Sequence, residues 1–155
     1  MIEVIRFKKN EDALCIFEIE REVFKEKAWS VDMIRSELKH VFSLGFLLLK
    51  DYQHIGYLLA RNYSDEAEIL RIAIKPSYQR RGLGKLLWIY FLKEAQLKGI
   101  KKVYLEVSDK NLQAQNFYKK IGFKEIGVRK NYYGVGENAI MLEFKVNGCI
   151  NNYLA

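Results

Sequence analysis

The chain has 155 residues, half of them hydrophobic and 29% charged, which suits one globular domain with a substantial core and excludes a disordered chain. The longest apolar run, residues 86–92, is far too short to span a membrane as a helix, and no charged-then-apolar leader opens the sequence. A net charge of +7 is compatible with nucleic acid, but the basic residues are scattered and no RNA-binding motif appears, so a phosphate-rich cofactor is an adequate alternative explanation.

The first half of the chain predicts strands and helices in turn. Residues 1–7 predict a strand, and an apolar stripe at helical spacing predicts a helix that ends near residue 25. Ser30 is a suitable N-cap for a second helix, from Val31 to about His40. Segments 42–50 and 55–61 predict two strands of a hairpin, and residues 66–75 predict another strand.

The second half continues this mixture. A helix is predicted from Gly82 to near Gly99, then a strand at 101–107 and a short helix at 111–121 that Gly122 ends. Two last strands, 123–129 and 139–146, lie on either side of residues 132–134. The order predicts a mixed α/β sheet with helices on both faces. We expect one domain at 1–146 and a C-terminal tail at 147–155.

A basic loop with two glycines precedes the longest predicted helix. Gly82 and Gly84 remove side chains where that helix begins, so a bulky phosphate can approach its backbone. The unpaired N–H groups of the first turn and the helix dipole favour anions there. Charge is added by Arg80, Arg81 and Lys85, and the loop therefore predicts a diphosphate-binding site.

Other interpretations of this loop remain open. A dinucleotide-binding fingerprint would need a third glycine where Leu87 stands, although Glu106 resembles the acidic residue that such a site uses for the ribose. No Walker spacing is present. The remaining alternative is a helix that merely begins with glycine and arginine.

Glu106 and Tyr118 are candidates for proton transfer. Glu106 lies in a strand that we expect to be buried on both faces, where a carboxylate is unlikely to serve packing. It is either a general base or half of an ion pair with a nearby lysine. Tyr118 lies on an apolar helix face and is either a proton donor or a core residue with its hydroxyl satisfied.

Cysteine and histidine are too few for a recognisable metal or nucleophile site. Cys15 and Cys149 lie far apart, and His40 and His54 complete no usual ligand spacing. We expect no metal and a reduced, cytoplasmic setting.

Several motifs resemble the GNAT N-acetyltransferases. Gln79-x-x-Gly82-x-Gly84 is similar to their acyl-CoA signature. Segments 105–107, 117–123 and 129–133 resemble the RimI group of that family, whose members acetylate protein N-termini. The resemblance covers about residues 1–146. It implies a mostly antiparallel sheet of six to seven strands with about four helices, acetyl-CoA as co-substrate, and direct attack by the amine in a ternary complex.

The resemblance also implies roles for individual residues. Glu106 corresponds to the family's proposed base, and Tyr118 to the tyrosine that protonates the coenzyme A thiolate. The acceptor side is formed by Trp29, Tyr132 and Tyr133. The residues expected to bind coenzyme A are Ile72, Ala73, Ile74, Gln79, Arg80, Arg81, Gly82, Leu83, Gly84, Lys85, Asn111 and Tyr118.

The expected acceptor is the N-terminal alanine of small-subunit ribosomal protein eighteen. A broad-specificity N-terminal, lysine or small-amine acetyltransferase is the nearest alternative, and a non-catalytic coenzyme A or RNA-binding module is the alternative of another class. The chain departs from the group at Ala28-Trp29-Ser30, where Pro-Trp-Ser is usual, and this predicts a looser turn. A short, flexible segment, 134–136, is expected beside the acceptor site.

Overall fold

A computed structural model describes residues 1–8 and 11–146. The predicted tail at 147–155, with Cys149, lies outside the described residues. Two short 3₁₀ helices, Lys25–Lys27 and Pro76–Tyr78, accompany the main elements. Within the described residues those elements are β1 (Ile2–Arg6), α1 (Ala13–Phe24), α2 (Val31–Lys39), β2 (Ser43–Lys50), β3 (Gln53–Tyr63), β4 (Glu66–Ile74), α3 (Leu83–Leu97), β5 (Lys102–Ser108), α4 (Leu112–Lys120), β6 (Lys124–Gly134) and β7 (Glu137–Lys145).

All seven strands form one sheet in the order β1-β2-β3-β4-β5-β7-β6. Every neighbouring pair is antiparallel except β4 and β5, which run parallel. The predicted mixed, mostly antiparallel sheet is confirmed.

Helices cover both faces of the sheet, as the order of elements predicted. Alternate side chains of β2 point to opposite faces, and both sets are buried. On one face α1 and α2 pack against the sheet through Ile16, Ile19 and Ile34. On the other, α3 contributes the fully buried Trp88, whose ring centroid lies 4.9 Å from that of Phe144.

Two helices begin with a side-chain cap, and the cap at Ser30 was predicted. The Ser30 hydroxyl accepts a hydrogen bond of 3.2 Å from the Met33 N–H, and the Asn111 side chain accepts one of 3.1 Å from the Ala114 N–H. These caps fix where α2 and α4 leave the loops that border the site.

The parallel pairing of β4 and β5 is very short. Within the described residues it involves only 66–68 and 102–104, and the two strands diverge beyond Glu68. The register between β3 and β4 also shifts, so that Leu70 is left without a partner on β3. Leu70 and Arg71 consequently face the same side of the sheet, towards α1. The divergence opens a wedge-shaped gap, and the bulge directs the Arg71 side chain onto its α1 side.

Strand β6 extends further than predicted, to Gly134 rather than Arg129. The register shifts between Arg129, which pairs with Ala139, and Gly134, which pairs with Glu137. Four residues of β6, 130–133, therefore lie opposite the single residue Asn138 of β7. Side-chain amides replace part of the ladder there: the Asn131 N–H donates to Asn138 Oδ1 at 2.9 Å, and the Gly136 N–H donates to Asn131 Oδ1 at 2.9 Å. This wide bulge carries Tyr132 and Tyr133.

Neither a membrane-spanning helix nor a metal cluster is found in the part of the chain that the structure describes. None of its helices is both long and apolar enough to cross a bilayer. No group of three or more His, Cys, Asp or Glu residues is arranged there to hold a metal ion.

Candidate active site

A cavity of about 620 Å³ occupies the wedge between β4 and the helices α3 and α4. This volume lies within the range of small-molecule sites. Val23 and Phe24 of α1 also line it, so the cavity reaches through the sheet towards the opposite face. Of the residues expected to bind coenzyme A, its wall includes Ile72, Ala73, Ile74, Gln79, Arg80, Gly82, Leu83, Gly84, Lys85, Asn111 and Tyr118.

Arg81 is the expected cofactor residue that the cavity wall does not include. Its guanidinium lies over the Tyr78 ring, 5.5 Å from the centroid. Gln79 has a structural contact of its own, because its side-chain amide donates a hydrogen bond of 2.9 Å to the Ile74 carbonyl. That bond ties the end of β4 to the loop that leads into α3.

The N-terminus of α3 opens onto the cavity. Gly82 is its N-cap in a left-handed conformation with φ of 75°, and among the described residues no side chain caps it. At Gly84 a Cβ atom would lie 3.2 Å from the Phe117 ring, so the absent side chain allows α3 and α4 to approach. Free N–H groups, the helix dipole and two basic residues, Arg80 and Lys85, make this end suited to an anionic diphosphate.

We expect Gly82→Val to weaken acetyl-CoA binding at least about tenfold, because a branched side chain is strained at positive φ and blocks access to the helix N-terminus. Titration calorimetry measures the dissociation constant. The matched control is Gly99→Val, since Gly99 has φ of 73° with equally open space but is absent from the cavity wall. Equal losses of affinity in the two variants would mean that backbone strain, and not the phosphate site, is being measured.

The free edge of β4 borders the same cavity. Residues 72–74 pair with β3 on one side, whereas the pairing with β5 has already stopped. An extended ligand arm can add to such an edge by hydrogen bonding to its backbone. That Ile72, Ala73 and Ile74 bind the pantetheine arm stays a prediction, for which this edge, within the described residues, offers unpaired backbone groups.

Glu106 lies on the face of β5 opposite to the Val103–Leu105–Val107 core contacts, towards α1 and α2. Its side chain is 27% exposed, and its Oε1 lies 3.2 Å from Arg129 Nε. The ion pair considered as an alternative therefore exists, but with an arginine on β6 instead of a lysine. Because 27% of the Glu106 side chain is exposed, the carboxylate stays accessible to solvent despite this ion pair.

Burial, together with the negative charge of Glu106, raises the pKa of two neighbouring side chains, Glu68 and Tyr133. Partial burial raises the pKa of the Glu68 carboxyl, and the negative charge of Glu106 raises it further. Burial likewise raises the pKa of Tyr133, with a second contribution from Glu106. Glu106 thus lies close to both Glu68, at the last position where β4 pairs with β5, and Tyr133.

Tyr118 is buried on α4 beside Phe117 and Phe123, with ring centroids 5.3 and 5.6 Å away. It also forms part of the cavity wall. Burial raises the pKa of its hydroxyl well above the usual value, so the group stays protonated. Within the described residues no protein group hydrogen bonds to this hydroxyl, which leaves it able to donate to a ligand.

The expected acceptor residues lie near the Glu106 side of the wedge. Tyr132 and Tyr133 stack edge to face with centroids 5.1 Å apart, and the Arg129 guanidinium lies 5.6 Å from the Tyr132 centroid. Trp29 packs on the α1 face of the sheet. These three residues are not part of the cavity wall.

A charged cluster beneath Trp29 was missed by the sequence analysis. Glu20 is completely buried and accepts hydrogen bonds from the Tyr57 hydroxyl and, at 2.8 Å, from the Trp29 N–H. Arg71 Nε lies 2.9 Å from Glu20 Oε1. The available signal was Arg71 itself, a charged residue inside the otherwise apolar run 69–74.

Comparisons with known proteins agree with this geometry. The family described as Acetyltransferase (GNAT) family matches residues 12–123. The ribosomal protein bS18-alanine N-acetyltransferase of Haemophilus influenzae is 35% identical over 131 residues, covering 82% of this chain and 88% of that protein. The crystal structure of the ribosomal-protein-S18-alanine N-acetyltransferase from Escherichia coli superposes with a TM-score of 0.87 at 27% identity, covering 95% of both chains. The PaiA N-acetyltransferase of Thermoplasma acidophilum in complex with coenzyme A gives 0.73 at 25% identity, covering 94% of this chain and 99% of that one.

Proposed function

The chain belongs to the GNAT acetyltransferase family and is an acetyl-CoA-dependent N-acetyltransferase, and from that premise we propose that it acetylates the α-amine of a protein N-terminus. The acceptor we propose is the N-terminal alanine of ribosomal protein bS18. The observation that carries the proposal is the position of the accessible Glu106 carboxylate, which faces the acceptor side of the wedge beside the Tyr132–Tyr133 bulge. The bS18-alanine specificity in the name of the Haemophilus influenzae relative supports the choice of acceptor.

The chemistry asked of Glu106 favours an α-amine over a lysine side chain. An α-amine has a pKa of about 7.7–8.0, whereas that of lysine is about 10.4, so a much larger fraction of the α-amine is already neutral at neutral pH. A partly exposed carboxylate beside Arg129 needs only to collect one proton, directly or through water.

The transfer uses the two sides of the wedge. The α3 N-terminus and the free edge of β4 hold acetyl-CoA, and the acceptor enters from the face that carries Trp29 and the two tyrosines. The neutral amine attacks the thioester carbonyl, and Glu106 takes the proton that the nitrogen loses. Tyr118 donates its proton to the departing sulfur, and backbone N–H groups of β4 stabilise the oxyanion. An acceptor on a ribosomal protein would place this reaction in the cytoplasm.

A panel of acceptors tests the proposal. The purified enzyme is incubated with acetyl-CoA and one of three acceptors. The first is a bS18 N-terminal peptide, the second is the same peptide with a blocked α-amine and an unmodified lysine side chain, and the third is spermidine. Mass spectrometry should show acetylation at the α-amine of the first peptide and little product from the others. A preference for the lysine peptide or spermidine would contradict the proposal, and acetyl-CoA binding without transfer to any acceptor would indicate a non-catalytic module.

A further inference from the structure

Arg71 and Glu20 form a buried ion pair between β4 and α1. Glu20 has no exposed surface and the Arg71 side chain is only 18% exposed, with Nε of Arg71 2.9 Å from Oε1 of Glu20. The Tyr57 hydroxyl also donates to Glu20 Oε1. Taking two charges out of water is costly, and such pairs seldom add stability over apolar residues of the same volume. The presence of this ion pair is therefore better explained by the segment that it holds in place than by a gain in stability.

The pair holds the segment between α1 and α2. The second oxygen of Glu20 accepts the hydrogen bond of 2.8 Å from the Trp29 N–H. The Arg71 guanidinium stacks between two rings, 4.1 Å from the Phe24 centroid and 4.5 Å from the Trp29 centroid. It also donates a hydrogen bond of 3.2 Å to the Lys27 carbonyl.

This arrangement connects the acceptor side to the donor side. Arg71 directly precedes the β4 residues 72–74 that line the donor cavity, and Phe24 lines that cavity as well. On its outer face the segment reaches towards β7, where Lys27 Nζ lies 3.9 Å from Glu137 Oε2. Because the Lys27 side chain is highly exposed, that outer contact is weak, and the Arg71 contacts carry the attachment.

We propose that Arg71, paired with Glu20, is a positioning residue that fixes Trp29 for acceptor recognition. This inference rests on the proposed function. Arginine suits the task because its planar guanidinium stacks on aromatic rings while its charge pairs with the Glu20 carboxylate and one of its N–H groups donates to the Lys27 carbonyl. Lysine keeps the charge beside Glu20 but has no planar group to place between Phe24 and Trp29. Arg71→Lys therefore separates positioning from simple charge neutralisation.

The first readout follows Trp29 without needing activity. The chain has two tryptophans, and Trp88 is fully buried, so acrylamide quenching of fluorescence reports mainly on Trp29. We expect the quenching constant to rise in Arg71→Lys. The matched control is Arg61→Lys on β3, which makes the same exchange in another arginine–glutamate pair away from Trp29, where Arg61 Nη2 lies 2.6 Å from Glu37 Oε1. The control should leave the quenching constant at the wild-type value.

The second readout is steady-state kinetics with a free peptide that begins with alanine. Arg71→Lys should raise the KM for this peptide roughly tenfold, the effect expected from losing a partly desolvated stack, with little change in kcat. The KM for acetyl-CoA should stay near the wild-type value, and Arg61→Lys should behave as wild type for both substrates. This split distinguishes positioning of the acceptor from a general loss of folded protein.

A double variant checks the charge pair. Arg71→Met alone would leave Glu20 buried without a counter-charge, so Arg71→Met is combined with Glu20→Gln, which removes both charges. The double variant should fold and show the same rise in peptide KM and in quenching. A wild-type peptide KM in this variant would overturn the proposal.

The remaining outcomes are equally decisive. Unchanged quenching in Arg71→Lys, or an equal rise of peptide KM in the Arg61→Lys control, overturns the positioning role. If the wild-type enzyme leaves the peptide α-amine unmodified, the proposed function is wrong, whereas the quenching comparison still decides whether Arg71 holds Trp29.

Discussion

Replacing Glu106 by glutamine should lower the rate of acetyl transfer to an α-amine by about 10²–10⁴-fold at neutral pH, the usual contribution of a general base. Glutamine keeps the shape of the side chain but cannot accept the proton that the amine loses. The affinity for acetyl-CoA should be nearly unchanged, because Glu106 is not part of the cavity wall. The deficit should shrink above about pH 8, where most of the α-amine is already neutral. A pH–rate profile of kcat/KM measures both effects.

Glu68→Gln is the matched control for this experiment. It removes a carboxylate from the neighbouring strand β4, close to Glu106, but from a residue to which we assign no proton transfer. We expect it to cost less than about tenfold. If both variants lose the same activity, the negative charge of the wedge attracts the acceptor and Glu106 has no special role. An unchanged rate in Glu106→Gln at neutral pH would remove the base assignment.

Tyr118→Phe should reduce kcat by about 10²-fold, because the leaving thiolate loses its proton donor. The melting temperature should change little, since the hydroxyl has no hydrogen-bond partner among the described protein groups and its removal leaves no group unsatisfied. Because burial raises the pKa of Tyr118, the hydroxyl stays protonated beyond its usual limit of about pH 10. The difference between variant and wild type should therefore persist across neutral and mildly alkaline pH.

The control for Tyr118 is Tyr90→Phe, which removes a hydroxyl from a more exposed position on α3. It should leave both turnover and melting unchanged. A sharp fall in melting temperature in Tyr118→Phe, with normal turnover per folded molecule, would make Tyr118 a core residue and leave the thiolate without an assigned donor.

Much of the fold follows from local patterns. The Ser30 cap could be predicted because its hydrogen bond reaches only three residues along the chain, and the Asn111 cap is equally local. The glycine loop was equally accessible to prediction, since a left-handed Gly82 before an apolar helix is a local feature. All but one of the residues assigned to the cofactor lie around a single cavity, but they come from β4, α3 and α4, and it was the family resemblance, not a local pattern, that grouped them.

What the sequence did not predict depends on distant partners. The last part of β6 is held by a hydrogen bond from the Asn131 N–H to Asn138 Oδ1, which no strand periodicity encodes. The ion pair of Glu106 was expected to involve a lysine, but the register of β6 and β7 brings Arg129 instead. A looser turn was predicted around Trp29, and this expectation did not include the Glu20–Arg71 pair that holds that turn.

The short pairing between β4 and β5 has a consequence for the life of the protein in a cell. Among the described residues, backbone pairing between strands β1–β4 and strands β5–β7 is limited to 66–68 and 102–104, so side-chain packing holds the two parts of the sheet together elsewhere. A donor molecule seated between them acts as a splint, and binding at a hundred times its dissociation constant adds about 2.7 kcal/mol to the free energy of unfolding. The free energy of unfolding is thereby linked to the concentration of this ligand in the cell, and the folded enzyme resists proteases best when the cavity is filled.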